Sequence, residues 1–311
     1  MFTKRFIAIL LLTVAATNAF PQQDPLFSQT MFNHMSINPA FAGSSEMISA
    51  TAINRLQWVG FGSGAPTTMV VNINSPFSLF GKSHGVGLNI MNDRFGFNSD
   101  IGIDVSYAYR FKINRAGNLA FGINGGFINN TMKPNWQFPA ATGDVAVPQG
   151  EENSVNLDLG AGLFFNNDQM YFGISATHLN QPKFNKATNP SHYKIHYYIC
   201  GGYVLPITNT SWEFSPSIFA GTTLSTSILT FNSNVIYNKR FWGGVSYRVG
   251  EAVTAMIGAE VFSGLRIGYA FDFSTTKISS YNSGSHEFML GYSFTLKKEK
   301  PPQQYKSIRF L

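Results

Sequence analysis

Charge is what this chain has least of. Asp, Glu, Lys and Arg make up 12% of its 311 residues, about half the share of an ordinary soluble domain. Too few ionised side chains are available to coat a water-facing exterior, and the polarity that remains comes mostly from Asn, Ser, Thr and Gln. There is one cysteine, Cys200, so no intramolecular disulfide staples the fold. Cys200 sits in the apolar run 197–204 with nothing beside it to lower a thiol pKa, which reads as a packed or lipid-facing thiol rather than a reactive one. No apolar run reaches 18 residues, which excludes transmembrane helices by length. The formal net charge of +6 is confined to the ends: Lys4 and Arg5, and the basic stretch 297–311. The body between them is neutral, which excludes the continuous cationic groove that nucleic acid requires.

Aromatics, by contrast, are abundant at 15%, with 29 Phe and 13 Tyr, and there are 29 Gly. They are arranged with period two. In residues 101–111 every odd position is apolar or aromatic, while the even positions are Gly102, Asp104, Ser106, Ala108 and Arg110. Strict alternation places one set on each face of a strand. The same scheme recurs at 119–127, 155–165, 253–261, 265–273 and 288–296, and about fourteen such segments follow Met47, each near the length of about ten residues that a tilted membrane strand needs. Helical periodicity is absent. Short turns such as Ser263-Gly264 and Asn238-Lys239 join neighbours, which predicts adjacent antiparallel pairing. Longer connections fall at 132–150, 180–191 and 275–285, after the fifth, seventh and thirteenth segments. All are odd, as expected of an even-stranded barrel with both termini in the periplasm and its long loops outside. A soluble sandwich or lipocalin-like barrel would also alternate, but would carry charge on its outer face. The expected fold is therefore all-β: a transmembrane, antiparallel, up-and-down β-barrel of about 14 strands, with a non-strand N-terminal segment.

The flanks fit export. Lys4 and Arg5, the apolar run 6–14 and the small residues up to Ala19 read as a signal peptide over 1–19. Residues 20–46 hold Pro21, Pro25, Pro39 and Gly43 without alternation, and are expected to form a plug or a periplasmic segment. Residues 47–296 are the outer-membrane barrel, and 297–311 a basic periplasmic tail.

Catalytic patterns fail on their spacing. Gly81-Lys82-Ser83 ends like a phosphate loop, but Pro76 stands where its first glycine belongs. There is no Gly-x-Ser-x-Gly elbow and no His-Glu-x-x-His. His34, His84, His178 and His286 are scattered, and on one extended strand His192 and His196 would sit roughly 13 Å apart, too far for one ion. No catalytic residue, cofactor or metal is expected. The inward charges (Asp104, Arg110, Asp158, Arg248, Glu260, Arg266, Asp272 and Glu287) are expected to pair across and fill a wet lumen.

Two stretches carry more information. One is Gln23-Asp24-Pro25-Leu26-Phe27-Ser28-Gln29 with the later Asn38-Pro39-Ala40-Phe41-Ala42-Gly43; the other is Arg55-Leu56-Gln57-Trp58 with Gly64-Ala65-Pro66-Thr67-Thr68. The Asp-Pro and Asn-Pro pairs fix turns, Trp58 suits a membrane interface, and Arg55 and Gln57, on one strand face, are expected to lock the plug or contact a partner. Over residues 23–68 the chain resembles the PorP/SprF outer-membrane proteins of the type IX secretion system, and the ending 305–311 is similar to that family's basic, aromatic tail. The resemblance implies a non-enzymatic barrel that assists secretion or surface attachment of specific cargo, such as a gliding-motility adhesin with a type IX C-terminal signal, or that links the machine to a peptidoglycan-bound lipoprotein. It singles out Asp24, Pro25, Phe27, Ser28, Gln29, Asn38, Pro39, Gly43, Arg55, Gln57, Trp58, Pro66, Thr67 and Thr68 as plug or partner-binding residues. The expected partners are cargo, type IX components or that lipoprotein, and outer-membrane lipid. A porin or small-ligand transporter is the alternative, and a lipid-modifying enzyme would need a positioned Ser or His that the sequence does not offer.

Overall fold

A computed structural model describes residues 24–45, 47–113, 116–134, 150–184 and 191–295. The signal-peptide and tail expectations lie outside them. Fourteen strands follow one another: β1 Ile48–Leu56, β2 Thr67–Leu79, β3 Lys82–Phe95, β4 Asn98–Ile113, β5 Gly117–Met132, β6 Glu152–Asn166, β7 Met170–Thr177, β8 His196–Tyr203, β9 Trp212–Thr222, β10 Ser227–Tyr237, β11 Phe241–Arg248, β12 Ala252–Phe262, β13 Leu265–Ser274 and β14 Ser285–Phe294. Each pairs antiparallel with its sequence neighbours, and β14 pairs with β1 from Ile48↔Phe294 to Leu56↔His286, so the sheet closes. A two-residue strand, Leu205–Pro206, adds to β9, and Lys183–Phe184 pairs with Ser191–His192 in the β7–β8 connection. Closure gives each of the fourteen strands a partner on both sides, as a strand-built structure needs inside a bilayer.

The alternation seen in the sequence is the wall of this barrel. In β4, Ile101, Ile103, Val105, Tyr107 and Phe111 point outward and are 40–55% exposed, while Gly102, Ser106, Ala108 and Arg110 are buried. The other strands repeat this, so the exterior is apolar nearly all round, a surface suited to lipid rather than to water. The final strand begins at Ser285 and ends at Phe294, somewhat earlier at both ends than the segment 288–296 read from the alternation.

The two ends of the barrel differ. At one end the connections are tight: Phe80-Gly81, Ser263-Gly264, and 238–240, where Asn238 and Lys239 adopt φ of 52° and 56°. Left-handed backbone at two successive residues matches the twist of a hairpin. The other end holds the connections after β1, β5, β7 and β13, which include the three long loops expected there.

Residues 24–45 fill the lumen. They hold short helical turns, Thr30–Phe32, α1 His34–Ile37 and Pro39–Phe41, and Asn38 caps the last by accepting from the Ala40 N–H at 3.0 Å, with Pro39 in the first helical position. The segment descends from the long-loop end to the short-turn end, where it turns into β1. Two bare spots on the wall let it approach. A Cβ on Gly85 would lie 2.0 Å from the Ala42 carbonyl oxygen, and one on Gly122 would lie 2.3 Å from the Ala40 nitrogen. Below Ala40, the residues Ala120, Phe164, Tyr198, Cys200 and Phe219 form the largest buried apolar cluster, so Cys200 packs inward under the plug and does not face lipid.

Candidate functional site

The site is the contact between the plug and the barrel wall. Its densest part lies toward the long-loop end, where β1, β11, β13 and β14 each contribute one inward charge. Arg55 Nη2 donates to Asp272 Oδ2 at 2.6 Å, and its Nη1 reaches Glu287 Oε2 at 3.3 Å and Ser28 Oγ at 2.8 Å. Arg248 Nη1 stands 3.8 Å from Asp272 and 3.0 Å from Glu251 Oε1, and its Nη2 donates to the Phe27 carbonyl at 3.2 Å. Arg55, Arg248, Asp272 and Glu287 are each at most 2% exposed, so these charges are held by one another and by the plug. Glu287 accepts the backbone N–H groups of Ser28 and Gln29 at 2.7 and 2.8 Å, and the Ser28 hydroxyl donates to Asp272 at 2.6 Å. A carboxylate that accepts two successive backbone N–H groups fixes the chain that carries them as firmly as it is itself fixed.

A second cluster joins the start of the plug to β6, β7 and β8. His178, just after β7, lies between two carboxylates: Nδ1 is 2.9 Å from Asp158 Oδ1 and Nε2 is 2.9 Å from Asp24 Oδ1. The Tyr198 hydroxyl donates to Asp24 Oδ2 at 2.6 Å, and His196 Nδ1 lies 3.7 Å from that oxygen. Burial opposes a charged His178, but the neighbouring Asp24 and Asp158 outweigh it and raise its pKa to about 10. Burial likewise disfavours ionised Asp24, yet the two imidazoles and the hydrogen bonds hold its carboxyl below the usual range. Next to it Tyr193 donates to Asp100, which also accepts from Asn130.

The motif residues divide by location. Pro25 lines a cavity beside Asp24, and Phe27 packs with Ile53, Val70 and Met289. Asn38 Nδ2 donates to the carbonyls of Leu163 and Ile174 at 2.9 and 3.3 Å, tying the plug to β6 and β7. Gly43, at φ 70°, donates its N–H to Asn74 Oδ1 at 3.1 Å. The buried Thr68 donates to Asp93 at 2.6 Å, and Thr67 opposes Leu56 and Arg94 in the sheet. β1 ends at Leu56, and the half-buried Gln57 begins the loop, its N–H donating to the Pro66 carbonyl at 2.9 Å. Trp58 turns at φ 54°, its N–H donating to Ser285 Oγ and its ring 6.1 Å from Phe61.

Of the inward charges, Arg55, Arg248, Asp272 and Glu287 assemble together and Asp158 joins the histidine cluster. Arg110 donates to Asn166 Oδ1 at 2.9 Å, and Arg266, opposite Glu260 in the sheet, donates to Ser293. His178 and His196 meet Asp24, 154 and 172 positions earlier in the chain, and no sequence spacing encodes that meeting.

The PorP/SprF model, described as a type IX secretion system membrane protein, matches residues 19–292. The chain belongs to the PorP/SprF family. No curated protein matches this PorP/SprF chain. Among solved structures it is similar to the toluene transporter TodX of P. putida, with a TM-score of 0.50 and 11% identity over 84% of this chain and 93% of that one. It is equally similar to the toluene transporter TbuX of Ralstonia pickettii, with a TM-score of 0.50 and 10% identity over 84% and 93%. At that identity the likeness is one of fold: an outer-membrane-type barrel.

Proposed function

We propose that this PorP/SprF protein is a non-enzymatic accessory barrel of the outer membrane that assists secretion or surface attachment of specific type IX cargo, such as a gliding-motility adhesin. The observation that carries this reading is the filled lumen: in a type IX family, a barrel held shut by buried ion pairs and backbone hydrogen bonds serves as a scaffold. Its long loops, turned outward, hold cargo, and the short-turn end with the basic tail meets periplasmic components or a peptidoglycan-bound lipoprotein. Residues 24–45 are spent on the lumen and leave little face for a periplasmic partner. Deleting the gene is expected to abolish surface display of one cargo group while other type IX cargo is still secreted. Global loss of secretion would favour the machine-linking role. The likeness in fold to toluene transporters raises a transport reading, which needs an open path. The purified barrel is expected to be silent in a planar bilayer, and steady conductance would overturn the scaffold reading.

A further inference from the structure

We propose that Asp24, His178 and His196 form a binding site for a divalent metal of the zinc class, which fastens the start of the plug to the wall at β7 and β8. One ligand-capable atom from each of the three lies within 4.8 Å of the others. Tetrahedral zinc, with ligands at about 2.0–2.2 Å, holds neighbouring ligand atoms about 3.3 Å apart. The observed 2.9 Å between His178 Nε2 and Asp24 Oδ1 is close to that spacing. The supporting contacts that metal-binding imidazoles require are already made. Asp158 meets Nδ1 of His178, which leaves Nε2 to the site, and His196 Nδ1 is 3.0 Å from the Lys194 carbonyl. Donation to that carbonyl makes Nε2 the lone-pair nitrogen of His196. That atom is buried with no hydrogen-bond partner, on a residue 1% exposed. An orphaned buried nitrogen is costly, and a metal satisfies it.

Two imidazoles and one carboxylate select zinc or a similar borderline ion over calcium or magnesium, which take oxygen ligands. Binding replaces the His178 Nε2 proton, which leaves to solvent. Asp24 and His178, with Asp158 and Tyr198, also line a cavity of about 60 Å³ that has room for a water.

The test uses the full-length protein, purified in detergent without a histidine tag and stripped with chelator, with Zn²⁺ and Co²⁺ as probes. One Zn²⁺ per chain is expected by calorimetry, and Co²⁺ should give the visible absorption of a tetrahedral site. Asp158→Asn should weaken binding about 10–100-fold, and His196→Gln at least as much, while His84→Ala at a distant wall position changes nothing. Gel mobility of unheated samples verifies that each variant is a folded barrel. Absence of binding to the wild type, or equal binding by folded His196→Gln, would overturn the proposal.

Discussion

Arg55→Met removes the guanidinium that joins β1 to β13, β14 and the plug while keeping most of the side-chain volume. Arg55 and its two carboxylate partners are at most 2% exposed, so little solvent screening tempers the loss. Asp272 would retain Arg248 at 3.8 Å and the hydroxyls of Ser28 and Thr254 at 2.6 and 2.7 Å. Glu287 would retain only the two backbone N–H groups of the plug, with no cation in contact. Breaking a buried pair by removing one partner costs about 3–5 kcal/mol. The perturbation should fall first on the plug, because Ser28 loses the donor at 2.8 Å that orients its hydroxyl. Urea unfolding of the barrel in detergent measures the cost, and limited proteolysis of residues 24–45 reports where it falls. Adding Asp272→Asn restores the charge balance, so the double variant should be more stable than the sum of the single losses by about 0.5–3 kcal/mol. A loss below about 1 kcal/mol in Arg55→Met, or strict additivity, would show that the network is not what holds the plug.

Gly85→Ala places a methyl group 2.0 Å from the Ala42 carbonyl. It is expected to cost about 1–3 kcal/mol through overpacking and to speed protease cleavage of the plug, whereas Gly102→Ala, with its nearest neighbour at 3.9 Å, should do neither. In chelator, plug retention should be greatest near pH 6.5. Burial lowers the His34 pKa to about 4, so the neutral form is the one the lumen accepts. Its contribution is complete above the unfolded value of about 6.5 and declines as pH falls toward 4, by about 3 kcal/mol in all. His178 has the opposite sign: with its pKa raised to about 10, its contribution is complete below about pH 6.5 and is lost as pH rises through 10. Protease sensitivity of the plug across pH 4–10 tests both limbs, and a flat profile would contradict them.

Local pattern sufficed for the wall. Period-two alternation in segments such as 101–111 records which side chains meet lipid and which meet the lumen, because strand geometry ties sequence parity to face. Strand number, hairpin order and the end that carries the long loops follow from counting those segments. Residues 23–68 are legible as a motif and Arg55 as an inward charge, but alternation does not say where a strand stops, and β1 ends at Leu56, one residue before Gln57. What tertiary structure alone decided is which inward groups meet. Barrel closure sets β14 against β1 and so places Glu287 opposite Arg55. The descent of the plug carries Asp24 to His178 and His196, Ser28 to Glu287 and Asn38 to β6 and β7. Those pairs are separated by 125 to 259 positions. Their association arises from closure and plug packing, which act at a range no local periodicity records.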